Sequence, residues 1–131
     1  MGDELILIIE DNEKNRKLLR DVLNAKGYRT LESETAEHGI EIARESHPAL
    51  VLMDIQLPGI DGIEALRRLR ADSMTAHIPV IAVTASAMHY DRAQIESAGF
   101  DGYQSKPVKI KEILEAIRET LDRGVGEDIC E

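Results

Sequence analysis

The chain has 131 residues, which is one domain by the usual span of roughly 100–200 residues each. Its longest unbroken apolar runs, Leu5–Ile9 and Ala49–Met53, fall far short of the roughly 18 residues that cross a bilayer. Acidic side chains number 25 against 16 basic ones, for a net charge of −9, and a domain this acidic is repelled by phosphate backbones, so direct nucleic-acid binding is not expected.

Leu5–Ile9 is apolar throughout and reads as a strand buried on both faces. Asp11-Asn12 can then start a helix striped by Leu18, Leu19, Val22 and Leu23, which Gly27 ends as a C-cap. Tyr28–Glu32 is a second, weaker strand. Thr35–Ser46 reads as a helix with Ala36, Ile40 and Ala43 inward, broken by His47-Pro48. Ala49–Met53 is the third strand, with Asp54 at its carboxyl end. Pro58-Gly59 is a turn, and Ile63, Leu66 and Leu69 stripe a third helix. Ile78–Val83 is the fourth strand, followed by Thr84. Ser86–Ala98 reads as a fourth helix with a thin stripe of Met88, Ile95 and Ala98. Phe100–Gln104 is a short fifth strand that ends near Lys106-Pro107. Ile110, Ile113, Leu114, Ile117 and Leu121 stripe the last helix at helical spacing, and Gly124 and Gly126 release a short acidic tail.

Five strand–helix pairs in strict alternation imply a parallel sheet covered by helices on both faces, with right-handed crossovers. Ligands of such sheets bind beyond the carboxyl ends of the strands, at the switch point. Glu10 and Asp11 follow the first strand, Asp54 the third, Thr84 the fourth and Lys106 the fifth. With the strands in order 2-1-3-4-5, three carboxylates converge beside a hydroxyl and an ammonium. Glu10-Asp11 alone is no more than a helix N-terminus favours; the matching strand ends are what make a site. Unit charges 4 Å apart interact by about 4 kcal/mol at an effective dielectric near 20, so the cluster calls for a hard divalent cation. Mg2+ suits a few carboxylate oxygens, waters and a phosphate oxygen. Asp54 then reads as a carboxylate nucleophile that forms an aspartyl phosphate. The phosphoryl oxygens would fall to the cation, to Lys106, and to the Thr84 hydroxyl with the Ala85 backbone N–H, since phosphoryl transfer needs charge neutralisation and in-line positioning above all.

Glu10-Asp11, Met53-Asp54, Thr84-Ala85 and Lys106-Pro107, in this order and spacing, resemble the receiver domain of two-component response regulators over about residues 4–123. The stretches Ile9–Asn15 and Met53–Gly62 look like single-domain regulators and the receivers of hybrid sensor kinases. The resemblance implies a flavodoxin-like (βα)5 fold, and a receiver over residues 1–123 with a tail over 124–131. It implies that Asp54 takes a phosphoryl group from a phosphohistidine of a histidine kinase or phosphotransfer protein. Mg2+, with Mn2+ able to stand in, would be arranged by Glu10, Asp11, Asp54 and the backbone carbonyl of Gln56. A cis peptide is implied before Pro107, where the trans preference is small. Thr84 would move toward the phosphoryl group and Tyr103 would rotate into the space left, biasing an existing equilibrium. Output would run through the fourth helix, fifth strand and last helix to a downstream protein, with the unphosphorylated chain a monomer. The first-helix face of Asn12, Asn15, Arg16 and Leu19 would dock the kinase or phosphotransfer bundle, Leu19 as a partly exposed apolar residue. Glu10 stands where many receivers have Asp, one carbon longer in reach.

Other readings keep the chemistry and change the setting, as a receiver segment of a hybrid kinase, or drop the phosphate, as a scaffold. An aspartyl-phosphate phosphatase would want a second Asp two residues after the nucleophile, where Gln56 stands. The domain would then be a signalling phosphoacceptor that catalyses only its own phosphorylation and dephosphorylation. The chain opens on no charged-then-apolar leader, which points to the cytoplasm. Cys130 is the one cysteine, and His38, His47, His77 and His89 lack metal-ligand spacing.

Overall fold

The computed structural model describes residues 4–55, 57, 59–84, 97–106 and 109–130, with the side chains of 84 and 123–130 excepted. Strands β1 (Leu5–Ile9), β2 (Arg29–Ser33), β3 (Leu50–Asp54), β4 (Val80–Thr84) and β5 (Gly102–Ser105) alternate with helices α1 (Glu13–Ala25), α2 (Ala36–Ser46) and α3 (Gly62–Ala71), and α4 (Ile110–Cys130) closes the chain. The strands form one sheet in the order β2-β1-β3-β4-β5, and every pairing is parallel.

The continuous apolar runs of the sequence are the central strands. Their alternate side chains divide into two cores. Leu7, Ile9, Val51, Met53, Val80 and Ala82 meet Ala36, Ala43, Ala65, Leu66 and Leu69 of α2 and α3. Ile6, Ile8, Leu50, Leu52, Ile81 and Val83 meet Leu19 and Leu23 of α1 and Ile113, Ile117 and Leu121 of α4. Each fully buried Leu or Ile contributes about 1.5–3 kcal/mol of transfer free energy, so the central strands carry much of the hydrophobic stabilisation among the described residues. Both edge strands, β2 and β5, are only half-buried along most of their length, which is why their sequences are less apolar.

Helix starts follow local chemistry. The side chains of Asn12, Thr35 and Asp61 accept from the backbone N–H groups of Asn15, His38 and Glu64 and cap α1, α2 and α3, each satisfying a donor that the first turn leaves orphaned. Helix α2 ends on His47 in the left-handed region at φ 50°, immediately before Pro48.

Three local readings of the sequence change. Strand β5 begins at Gly102, not Phe100: the Phe100 ring is buried in the core and the Asp101 N–H donates to the Val80 carbonyl. Helix α4 continues to Cys130, past Gly124 and Gly126; a helical glycine costs roughly 1 kcal/mol, which a helix anchored by a buried face can carry. Ile110 heads the α4 stripe but is exposed. Of the helix expected over residues 86–98, only Ser97 and Ala98 fall among the described residues, and both are helical.

Candidate functional site

The site is built where β1, β3 and β5 end. Ile9 of β1 is in register with Met53 of β3, so Glu10 and Asp54, each one residue further on, lie side by side. Glu10 and Asp54 are 2% and 5% exposed, while Asp11 is exposed. One carboxylate oxygen from each of the three lies within 4.8 Å of the others. Lys106, directly after β5, reaches across the end of β4. Its Nζ donates to Asp54 Oδ2 at 2.9 Å and ion-pairs with Glu10 Oε1 at 2.7 Å, off the axis of a hydrogen bond.

The backbone around Glu10 is held from several sides. Its N–H donates to the Ser33 carbonyl, and its Oε2 accepts from the Asn12 N–H at 3.0 Å. Its own carbonyl accepts from Arg16 Nη1 at 2.9 Å. Behind Asp54, the Gly62 N–H donates to the Ile55 carbonyl at 2.8 Å. A methyl group on Gly62 would sit 2.7 Å from Ile55 Cα and 2.8 Å from the Asp54 carbonyl oxygen. Only glycine lets α3 start this close to the end of β3.

Charge follows the geometry. Burial pushes the Glu10 carboxyl up, and the Asp54 carboxylate adds to the rise; contacts with Lys106 and the Asn12 N–H oppose it without cancelling it. Burial pulls the Lys106 ammonium down, but Glu10 and Asp54 outweigh it and hold it above its ordinary value. Three carboxylates against one ammonium leave a formal charge of 1 − 3 = −2, which is what a divalent cation neutralises. The donors are hard oxygens, two of them on buried residues, so the set fits Mg2+.

Glu10, Asp11, Asp54 and Lys106 thus come together as the spacing implied. Thr84 is the last residue of β4, in register with Ser105, but its side chain lies outside the described residues, as do Gln56, Ala85 and Pro107. Tyr103 is half-buried, in register with Ala82, and packs against the α2–α3 core.

The α1 face requires correction. Leu19 is 3% exposed and belongs to the core, whereas Leu18 is 40% exposed; the helix phase, set by packing on the sheet, turns Leu19 inward. Arg16 is not a free surface cation either. Its Nε donates to Glu32 Oε1 at 3.1 Å while Nη1 holds the Glu10 carbonyl. Asn12 is exposed but engaged as the α1 cap. The sequence carries no sign of the role of Gly62, which lies just past the Pro58-Gly59 turn. The Arg16 contact was missed because nothing in helical spacing says where a long side chain bends.

A doubly wound sheet with a cation-fitting acidic cluster at its switch point defines a flavodoxin-type α/β domain. The response regulator receiver domain model matches residues 6–118, and the chain belongs to that family, the receivers of two-component signalling. It is 45% identical over 116 residues to the polar-differentiation response regulator DivK of Brucella ovis, covering 88% of this chain and 94% of that protein. Among solved structures it is similar to the receiver domain of the sensor histidine kinase PA1611 from Pseudomonas aeruginosa PAO1, whose active-site cleft coordinates magnesium (TM-score 0.85, 31% identity, 92% of this chain and 98% of that one). It is likewise similar to a CheY-like receiver domain protein from Methanospirillum hungatei JF-1 (TM-score 0.87, 30% identity, 95% and 98% coverage). No helix among the described residues is long and apolar enough to cross a membrane.

Proposed function

We propose that the domain accepts a phosphoryl group from a phosphohistidine of a histidine kinase or phosphotransfer protein onto Asp54, and signals through protein–protein contacts. The observation that carries this reading is the buried Asp54 carboxylate held among Glu10, Asp11 and Lys106. An Asp54 carboxylate oxygen attacks phosphorus in line with the P–N bond. That bond breaks, its electron pair goes to the imidazole nitrogen, which is protonated from solvent, and an acyl phosphate forms. Glu10, Asp11, Asp54 and the Gln56 carbonyl would hold Mg2+, which would neutralise the charge that gathers on the phosphoryl oxygens. Lys106 gives its ammonium to a second phosphoryl oxygen, exchanging one anionic partner for another. The Thr84 hydroxyl and Ala85 N–H take the third, and Tyr103 follows Thr84 inward. A cis peptide before Pro107 completes the reading.

The receiver covers residues 1–123, with 124–131 a C-terminal extension into which α4 continues as far as Cys130, and works in the cytoplasm, a monomer when unphosphorylated, with its output face on the 86–98 segment, β5 and α4. The docking edge for the phosphodonor keeps Asn12 and Asn15 and takes Leu18 as its apolar member. The 45% identity to the DivK response regulator supports the response-regulator setting. The likeness to a sensor-kinase receiver favours the second setting, a receiver segment of a hybrid kinase; the full-length gene decides between them. The test is fluorine NMR with beryllofluoride, a phosphoryl mimic. Mg2+-dependent bound resonances in the wild type and none in Asp54→Asn are expected. A wild type without bound resonances would turn the reading toward a phosphate-independent scaffold.

A further inference from the structure

Glu10 is the first residue beyond β1, and its carbonyl has left the sheet ladder while the residue itself is buried. A buried carbonyl at such a place needs a donor. Arg16, one turn into α1, supplies it through Nη1 at 2.9 Å. The guanidinium side chain is 14% exposed, and its direction is fixed by a second bond, from Nε to Glu32 Oε1 at 3.1 Å. Glu32 in turn is held by Arg20 Nη1, 3.1 Å from its Oε2. The planar fork of arginine serves a carbonyl and a carboxylate at once, which the single ammonium of lysine does less well.

The carbonyl that Arg16 holds belongs to the peptide joining Glu10 to Asp11. Among the described residues the Asp11 carboxylate makes no hydrogen bond or ion pair. Its aim at Asp54 is therefore set by its backbone, and the orientation of that peptide is what Arg16 fixes. We propose that Arg16 is a positioning residue of the cation site: by holding the Glu10 carbonyl, it keeps Asp11 and Glu10 converged on Asp54. This rests on the Mg2+ reading given above, and it gives Arg16 a role other than the docking that the resemblance implies for it.

The sign of the effect separates positioning from charge. Arg16→Met removes a positive charge near the acidic cluster, which by Coulomb's law alone tightens cation binding. Loss of an outer partner that orients a metal ligand instead weakens it, about 10–100-fold in metal sites generally. Arg20→Met is the matched control, because it removes the same charge, from the same helix and the same Glu32 partner, but touches no atom of Glu10. The experiment measures Mg2+ affinity by isothermal titration calorimetry on wild type, Arg16→Met and Arg20→Met. Urea melts and the carbonyl carbon shift of Glu10 are recorded without metal. The expected result is Mg2+ binding at least about tenfold weaker in Arg16→Met, within about twofold of wild type in Arg20→Met, and a Glu10 carbonyl shift that moves only in Arg16→Met. Unchanged or tighter binding in Arg16→Met, with the wild type binding Mg2+, would overturn the positioning role and leave the Mg2+ reading standing. Equal weakening in both variants would assign the loss to the α1–β2 contact and also overturn it. A wild type that binds no Mg2+ would overturn both.

Discussion

Replacing Lys106 with methionine removes the only ammonium that contacts Glu10 and Asp54 among the described residues. The two carboxylates are left buried, with oxygens no more than 4.8 Å apart, so at an effective dielectric near 20 their repulsion is at least about 3.5 kcal/mol. The folded protein can escape by protonating one of them. Taking a carboxyl of ordinary value 4.5 to its neutral form at pH 7 costs about 2.5 × 1.36, or about 3.4 kcal/mol. The two routes cost nearly the same, so Lys106→Met should lose about 3 kcal/mol at pH 7 without metal. At pH 5 protonation costs only about 0.7 kcal/mol, and the deficit should shrink to match. The sign follows from linkage: Glu10 already has a raised value in the fold and would rise further, so the folded variant binds more protons than the unfolded chain and loses stability as pH rises above about 4.5. With a urea m-value of about 2 kcal/mol per molar, the midpoint should fall by about 1.5 M at pH 7. The same substitution frees carboxylate oxygens that the ammonium occupies, so Mg2+ should bind more tightly. Each tenfold gain in affinity adds about 1.4 kcal/mol of stabilisation at saturating metal. Urea melts at pH 5 and pH 7, with and without Mg2+, read all of this. A variant as stable as wild type at pH 7, or one that binds Mg2+ more weakly, would refute the reasoning.

Gly62→Ala should destabilise by about 1–3 kcal/mol, since its methyl would stand 2.7 Å from Ile55 Cα, about 0.8 Å inside a ~3.5 Å carbon contact; a urea midpoint at or above that of wild type would contradict it. His47→Gly should stabilise by about 0.5–1 kcal/mol, because a left-handed residue at φ 50° costs roughly 1–2 kcal/mol and glycine returns part of that as backbone entropy; a lower midpoint would count against it. The half-buried Glu64 carboxylate, held by Arg67 and Arg68 down to about 2, has a depressed folded value. Its contribution is therefore present above the ordinary 4.5 and lost as pH falls toward 2; a side-chain carbon titration by NMR should show the low midpoint, and an ordinary one would mean that the arginine pairs do not persist in solution.

Much of this was legible in the chain. Leu5–Ile9 and Ala49–Met53 are apolar at every position, a pattern that suits a strand covered on both faces, and they fix the centre of the sheet. Once β1 and β3 are neighbours, Glu10, Asp11 and Asp54 must meet, and Lys106 follows from its place after the last strand. Less was legible where direction mattered more than spacing. Leu18 and Leu19 are adjacent apolar residues, and only packing on the sheet decides which turns inward. Arg16 looks like any first-helix cation until the bend of its side chain brings it to the Glu10 carbonyl. Gly62 shows its purpose only when α3 is seen against the backbone of Asp54, and Gly124 and Gly126 mark a helix end only if nothing upstream holds the helix.

Asp54 as phosphoacceptor is tested most directly by incubating the protein with acetyl phosphate and Mg2+ and recording intact mass beside Asp54→Asn. A single phosphate adduct on the wild type, lost on removing Mg2+ and absent from the variant, is the predicted result. An adduct that persists in Asp54→Asn, or forms equally without Mg2+, would contradict the assignment of both the acceptor and the cation site.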